Sequence, residues 1–237
     1  MTSPLGLSER VAIVTGAGGG LGLEFALALA TAGARVACVD LIADAAQATA
    51  DAVRDAGGEA VAVVADVADE AATRAMAQST IEAFGAIDAL VNNAAVYAGL
   101  ERCRFDEISV VEWDRVMAVN LRGPWLCARA CADALRRARG SIVNVSSATV
   151  LSGSPLWAHY VASKSALIGL SRVMARELGA DGVRVNVIAP GFTLTDDSRD
   201  LIENAEEYGV ARGAIPRALE PTDIVGAVLF LVAEARR

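Results

Sequence analysis

Short, almost wholly apolar runs rich in β-branched residues alternate with longer Ala-rich segments along this chain. The first pattern is carried by VAIVT (11–15), ARVACVD (34–40), AVAVVAD (60–66), IDALVNN (87–93), SIVNVSS (141–147) and VRVNVIAP (183–190). Near-continuous apolarity predicts strands covered on both faces of a parallel sheet. The segments between and after them, 21–32, 43–56, 69–84, 109–137, 157–179 and 221–235, read as helices. Strand–helix alternation predicts right-handed crossovers and an α/β, Rossmann-type doubly wound parallel sheet with helices on both faces. No Pro- or Gly-rich linker divides the chain, so 1–237 reads as one domain. The stretch 191–220 is mixed in polarity and weakly periodic. A long connection after the sixth strand predicts a lid over an active site.

Composition narrows the partners. With 54% hydrophobic and 21% charged residues the 237-residue chain is globular, and its net charge of −8 argues against nucleic acid. The apolar run IVGAVLFLVA at 224–233 is too short to span a bilayer and reads as a buried helix. The amino end, MTSPLGLSER, lacks a charged start and an apolar core, so a cytoplasmic protein with no membrane partner is expected. Cys38, Cys103, Cys127 and Cys131 form no CxxC pair and have no partnering His cluster, so no metal is assigned and buried thiols are expected.

Candidate chemistry begins where the first strand runs into TGAGGGLG, residues 15–22. Gly16, Gly20 and Gly22 follow a GxxxGxG spacing between a strand and a helix. That position lets a pyrophosphate approach the helix amino end, where free N–H groups and the dipole favour anions. Asp40 closes the second strand, and a carboxylate there can accept hydrogen bonds from both hydroxyls of an adenosine ribose. It would also repel a 2′-phosphate: like charges about 4 Å apart cost up to ~4 kcal/mol at an effective dielectric near ~20. No Lys or Arg lies at 17–22 or 41–42, so NAD is expected rather than NADP. Asp66 and Val67 end the third strand, where they either meet an adenine edge or simply cap the strand. The same choice holds for Asn92, Asn93, Ala94 and Ala95 after the fourth.

One further pair stands out. Tyr160 and Lys164 lie four residues apart, about one helical turn, in HYVASK. A phenol with a pKa near ~10 is a poor base at neutral pH, and lowering it by three units takes about 4 kcal/mol. One ammonium about 4 Å away at an effective dielectric near ~20 supplies a term of that size. A lowered Tyr160 pKa is therefore expected.

Taken in order, TGAGGGLG, NNAA, Asn120, NVSS, YVASK and APG resemble the motifs of the short-chain dehydrogenase/reductase family, over nearly the whole chain. The resemblance implies catalytic roles for Asn120, Ser147, Tyr160 and Lys164, with Ser147 rather than Ser146 because the family serine lies 13 positions before the tyrosine. It implies a nucleotide site formed by Gly16, Gly19, Gly20, Leu21 and Gly22, by Asp40 and Leu41, and by Asp66 and Val67. Asn93, Ala94, Ala95, Tyr160, Lys164, Pro190, Gly191, Thr193 and Thr195 complete it. By the same analogy the substrate would meet Tyr97, Ser147, Val150, Leu151, Leu156, Trp157, His159 and Tyr160. That lining is mostly apolar and bulky, which favours a hydrophobic alcohol or ketone. Trp157 and Leu156 either face the pocket or pack the helix start, and His159 either lines the pocket or makes a polar contact there.

Two departures stand out. Ala95 fills a position that is often Gly in the family, and the chain ends at AEARR where family members usually continue into a seventh strand, so either the sequence is shortened or that edge of the sheet is expected to be absent. The family also implies a homo-oligomer, a dimer or tetramer built through 109–137 and 157–179. The expected activity is thus an NAD-dependent secondary-alcohol dehydrogenase or ketone reductase. Two alternatives stand beside it: a 3-oxoacyl-carrier-protein reductase, for which Arg136, Arg137 and Arg139 form one small basic cluster, and a non-catalytic NAD-binding module.

Overall fold

The computed structural model describes residues 6–233. Six parallel strands form one sheet in the order β3-β2-β1-β4-β5-β6. They are β1 (Val11–Thr15), β2 (Arg35–Asp40), β3 (Glu59–Val64), β4 (Ala89–Asn92), β5 (Ser141–Val145) and β6 (Arg184–Ile188). Every residue of β1, β4 and β5 is buried, as two-sided coverage of continuous apolar runs requires. Alternate side chains of one strand feed opposite layers: Ala12 and Val14 of β1 join one core cluster, Ile13 the other.

The first layer is packed by α1 (Gly20–Thr31), α2 (Ala43–Asp55) and α10 (Pro221–Val232). The second is packed by α3 (Glu70–Phe84), α5 (Gly123–Ala138) and α7 (Ala158–Leu178), where Cys127 and Cys131 are fully buried. Strand order reverses between β1 and β4, and the crevice outside the carboxyl ends of these strands is where such sheets hold ligands.

The helix expected over 109–137 is broken into three pieces. After α4 (Val110–Met117) the backbone widens into a π-helical turn, Ala118–Arg122, before α5 begins. Gly123 N–H reaches back five residues to the Ala118 carbonyl, and the next residue, Pro124, has no N–H to offer. The stretch 191–220 is also more ordered than its weak periodicity suggested. It folds into two short helices, α8 (Asp196–Leu201), held by a Thr195–Ser198 capping box, and α9 (Ala205–Arg212). A further short turn, α6 (Thr149–Ser152), follows β5. The expectation about a seventh strand falls on the chain end, of which 234–237 lie outside the described residues. Among the described residues, no helix is long and apolar enough to cross a membrane.

Candidate active site

A cavity of about 650 Å³ opens at the β1/β4 reversal. One end is formed by the loop after β1. Gly16 adopts a left-handed conformation (φ +61°), and a Cβ there would stand 2.7 Å from Ala94 Cα. A Cβ on Gly22 would stand 1.9 Å from the Gly16 carbonyl oxygen, so the helix can start this close to β1 only with glycine at both positions. Gly19, by contrast, faces open space within the cavity lining. Asp40 lies against this loop, its Oδ2 accepting from Gly18 N–H (2.9 Å) and its Oδ1 from Ile42 N–H (3.0 Å). The carboxylate is thereby fixed in the cavity wall.

Asn93 ties the two central strands together. Its Nδ2 donates to the carbonyls of Thr15 (3.1 Å) and Gly16 (3.0 Å), while Thr15 Oγ1 accepts from Asn93 and Ala94 N–H at 3.1 Å. The role of Thr15 was not apparent beforehand, since a threonine closing a strand reads only as a β-former. Ala94, Ala95, Pro190, Gly191, Thr193, Thr195, Gly20 and Leu21 also line the cavity.

Asn120 is fully buried within the π turn. Its Oδ1 accepts from Val96 N–H (2.7 Å), and its Nδ2 donates to the Val96 carbonyl (3.2 Å) and to Ser163 Oγ (3.3 Å). Across from it Lys164, 2% exposed, donates from Nζ to the Val145 carbonyl at 2.8 Å. Ser146 spends its hydroxyl on the Lys164 carbonyl (2.8 Å), whereas Ser147 Oγ accepts from Thr149 Oγ1 (3.0 Å) beside the phenol of Tyr160.

The titration of this pair differs from the sequence-based expectation. Burial drives the Tyr160 phenol well above its ordinary value; nearby Tyr97 adds to this and hydrogen bonding by Ser147 opposes it. Burial also pulls Lys164 down to about 8. The ammonium is aimed at Val145 and sits 5.7 Å from the Tyr160 ring centroid, so desolvation outweighs the attraction between the two.

The other end of the cavity is aromatic. Tyr97 stacks on Trp157 at 5.5 Å, and both lie 5.7 Å from Tyr160. Burial pushes the Tyr97 phenol up to about 12. Phe192, Ile202, Tyr208 and Arg212 close this end from 191–220, and none of them was singled out beforehand.

Nine expected residues do not line the cavity, Leu156 among them, which is 37% exposed in a left-handed conformation (φ +68°) just before α7. Asn120 and Gly22 act behind the wall, as described. Leu41 and Asp66 point to solvent, and Val67 is buried where it contacts the space beside Gly123. Leu151 is 86% exposed and Val150 half-buried on α6. His159 is fully buried, and neither ring nitrogen finds a hydrogen-bond partner among the described residues. One position from Tyr160 on a helix points it away from the phenol, so it belongs to neither the cavity lining nor a helix-start polar contact. Among the described residues no group of three His, Cys, Asp or Glu side chains could hold a metal.

Comparison with known proteins follows the same lines. A family model described as short chain dehydrogenase matches residues 10–206. The chain is 36% identical to the (2S)-[(R)-hydroxy(phenyl)methyl]succinyl-CoA dehydrogenase subunit BbsD of Thauera aromatica, covering 96% of this chain and 90% of that one. It is 36% identical to the 3-oxoacyl-[acyl-carrier-protein] reductase FabG of Staphylococcus aureus, over 95% of this chain and 91% of the relative. A solved chain from Beutenbergia cavernae, with NADP bound at low occupancy, superposes with a TM-score of 0.89 at 36% identity, covering 98% and 92% of the two chains.

Proposed function

The chain belongs to the short-chain dehydrogenase/reductase family, and from that premise we propose that it is an NAD-dependent oxidoreductase interconverting a hydrophobic secondary alcohol and its ketone. The observation that carries the reading is the meeting of Asp40, Ser147, Tyr160 and Lys164 in the wall of one cavity.

The residues fit a dinucleotide. Gly19 leaves space for a pyrophosphate at the amino end of α1, where main-chain N–H groups favour an anion. Asp40 presents a fixed carboxylate to the adenosine ribose. Among the described residues, the only basic side chains in the cavity wall are Lys164 and Arg212, outside the Gly18–Asp40 contact, so none of them offsets repulsion of a 2′-phosphate there. When bound, NAD supplies a hydride acceptor and a positively charged ring. Tyr160 takes the hydroxyl proton of the alcohol at its phenolic oxygen, or returns it to the ketone in the reverse direction. Ser147 holds the reacting oxygen by hydrogen bonding. Lys164 stabilises the phenolate and holds the nicotinamide ribose, and Asn120 positions the adjoining backbone. The aromatic wall excludes water and accepts an apolar substrate body.

A cytoplasmic homo-oligomer, dimer or tetramer, completes the reading. Exposed Val110, Val111 and Trp125 on α4 and α5 support such an association. The similarity to FabG supports a second reading, a 3-oxoacyl-carrier-protein reductase. Against it, Arg136 of the basic cluster is already paired with Asp133 and Asp181, both at 3.0 Å, leaving less charge for an acidic carrier. NADH absorbance with a panel of hydrophobic secondary alcohols, run beside NADP and an acyl-carrier substrate, tests both. Turnover with NAD and free alcohols is expected. Activity confined to NADPH and carrier-bound substrates would establish the second reading instead, and NAD binding without turnover of anything would leave a non-catalytic module.

A further inference from the structure

Among the described residues, four charged side chains line the cavity: Asp40, Lys164, Asp197 and Arg212. The first two are held by main-chain partners, as described. Arg212 ends α9, and its guanidinium carbon lies 4.3 Å from the centroid of the Tyr208 ring. Tyr208 in turn packs edge-on against Phe192 at 4.8 Å. The neighbouring arginines are paired, Arg199 with Glu206 (3.8 Å) and Arg217 with Asp223 (2.6 Å). Arg212 has no carboxylate partner among the described residues.

A guanidinium held over a ring face by its central carbon has N–H groups left to donate, and their fork suits the two oxygens of a carboxylate. Asp197 limits where such an anion can sit. With Asp196 and Asp200 beside it, the α8 side of the lid repels negative charge, and burial together with these neighbours raises the Asp197 carboxyl above its ordinary range. Attraction is confined to the α9 side. In a chain of net charge −8, this unpaired cation is a local exception at the substrate end of the cavity.

We propose that Arg212 selects hydrophobic alcohols and ketones that carry a carboxylate away from the reacting carbon. The carbinol end lies at Tyr160 and the acid end at the carboxyl end of α9. This inference rests on the proposed alcohol–ketone reaction, and a binding measurement separates the two. The probes are an aryl ketone with a short acid tail, benzoylpropanoate, and its methyl ester, titrated against the protein with NADH while tryptophan fluorescence is followed. The wild-type chain binds the acid at least about tenfold more tightly than the ester, the size expected for one charge-assisted contact. Arg212→Gln brings that ratio close to one, Arg212→Lys restores part of it, and Arg199→Gln, altering an arginine outside the cavity wall, keeps it. Equal wild-type affinities, or an unchanged ratio in Arg212→Gln, would overturn the assignment. NADH consumption is recorded in the same samples: an acid preference without oxidation of NADH sinks the reaction and leaves the selectivity standing.

Discussion

Around Asp40 the polar atoms are held by main chain, with Gly18 and Ile42 N–H on the carboxylate and Asn93 bridging two carbonyls of the glycine loop. Around Trp157 the wall is held by rings: Tyr97, Tyr160, Phe192 and Tyr208 touch through faces and edges. The first arrangement depends on where the backbone runs, so it tolerates little change. The second depends on side chains from three separate segments, each replaceable without moving a strand. One end is suited to a constant ligand and the other to a substrate that differs between relatives.

The sharpest way to separate the two ends is Tyr160→Phe. General acid–base catalysis is worth about 10²–10⁴-fold, so turnover in steady-state NADH assays falls by that factor. NAD affinity, read by fluorescence titration, stays within about fivefold, because a single hydroxyl contributes ~1 kcal/mol or less to ground-state binding. Loss of both together would mean that the ends are not independent.

The next effect is on pH. Alcohol oxidation needs the phenolate, and burial raises the Tyr160 pKa, so the active form is scarce at neutral pH and grows as pH rises. The kcat/KM for oxidation therefore climbs, by up to about tenfold per unit above pH 7. The apparent pKa belongs to the Tyr160–Lys164 pair, since Lys164 is itself pulled down to about 8. Ketone reduction needs the neutral phenol and shows no such rise. A flat oxidation profile over this range would contradict the proton-transfer role.

The smallest effect lies at the opposite end. Asp40→Ala removes the charge opposed to a 2′-phosphate, and the NAD-to-NADP ratio of kcat/KM falls by about tenfold, half or less of the full Coulomb term. The preference among alcohols is unchanged. If that preference moved as well, Asp40 would be acting across the whole cavity.

The same contrast explains what the amino-acid sequence could disclose. The sheet, the glycine loop and Asp40 were legible because continuous apolar runs and small residues at a strand end leave the backbone few choices. Tyr97 and Trp157 were reachable because they flank the motifs. Phe192, Tyr208 and Arg212 were not, because their approach to Tyr160 depends on how two short helices fold back, and no local periodicity encodes that. The π turn was hidden for a related reason: 109–137 reads as one helix, and only the Gly123–Pro124 step hints at a break. His159 was misplaced because adjacency to Tyr160 along the chain suggested the cavity, whereas a helix sends neighbouring side chains in different directions.

Asn120 holds both the N–H and the carbonyl of Val96, as a neighbouring strand would, although this segment has already left the sheet. The same side chain reaches Ser163 on the helix that bears Tyr160 and Lys164. It therefore works as a mechanical strut. Any tilt of α7 would be passed through it to the backbone beside Tyr97, which couples the Tyr160 phenol to the nearest wall of the aromatic end.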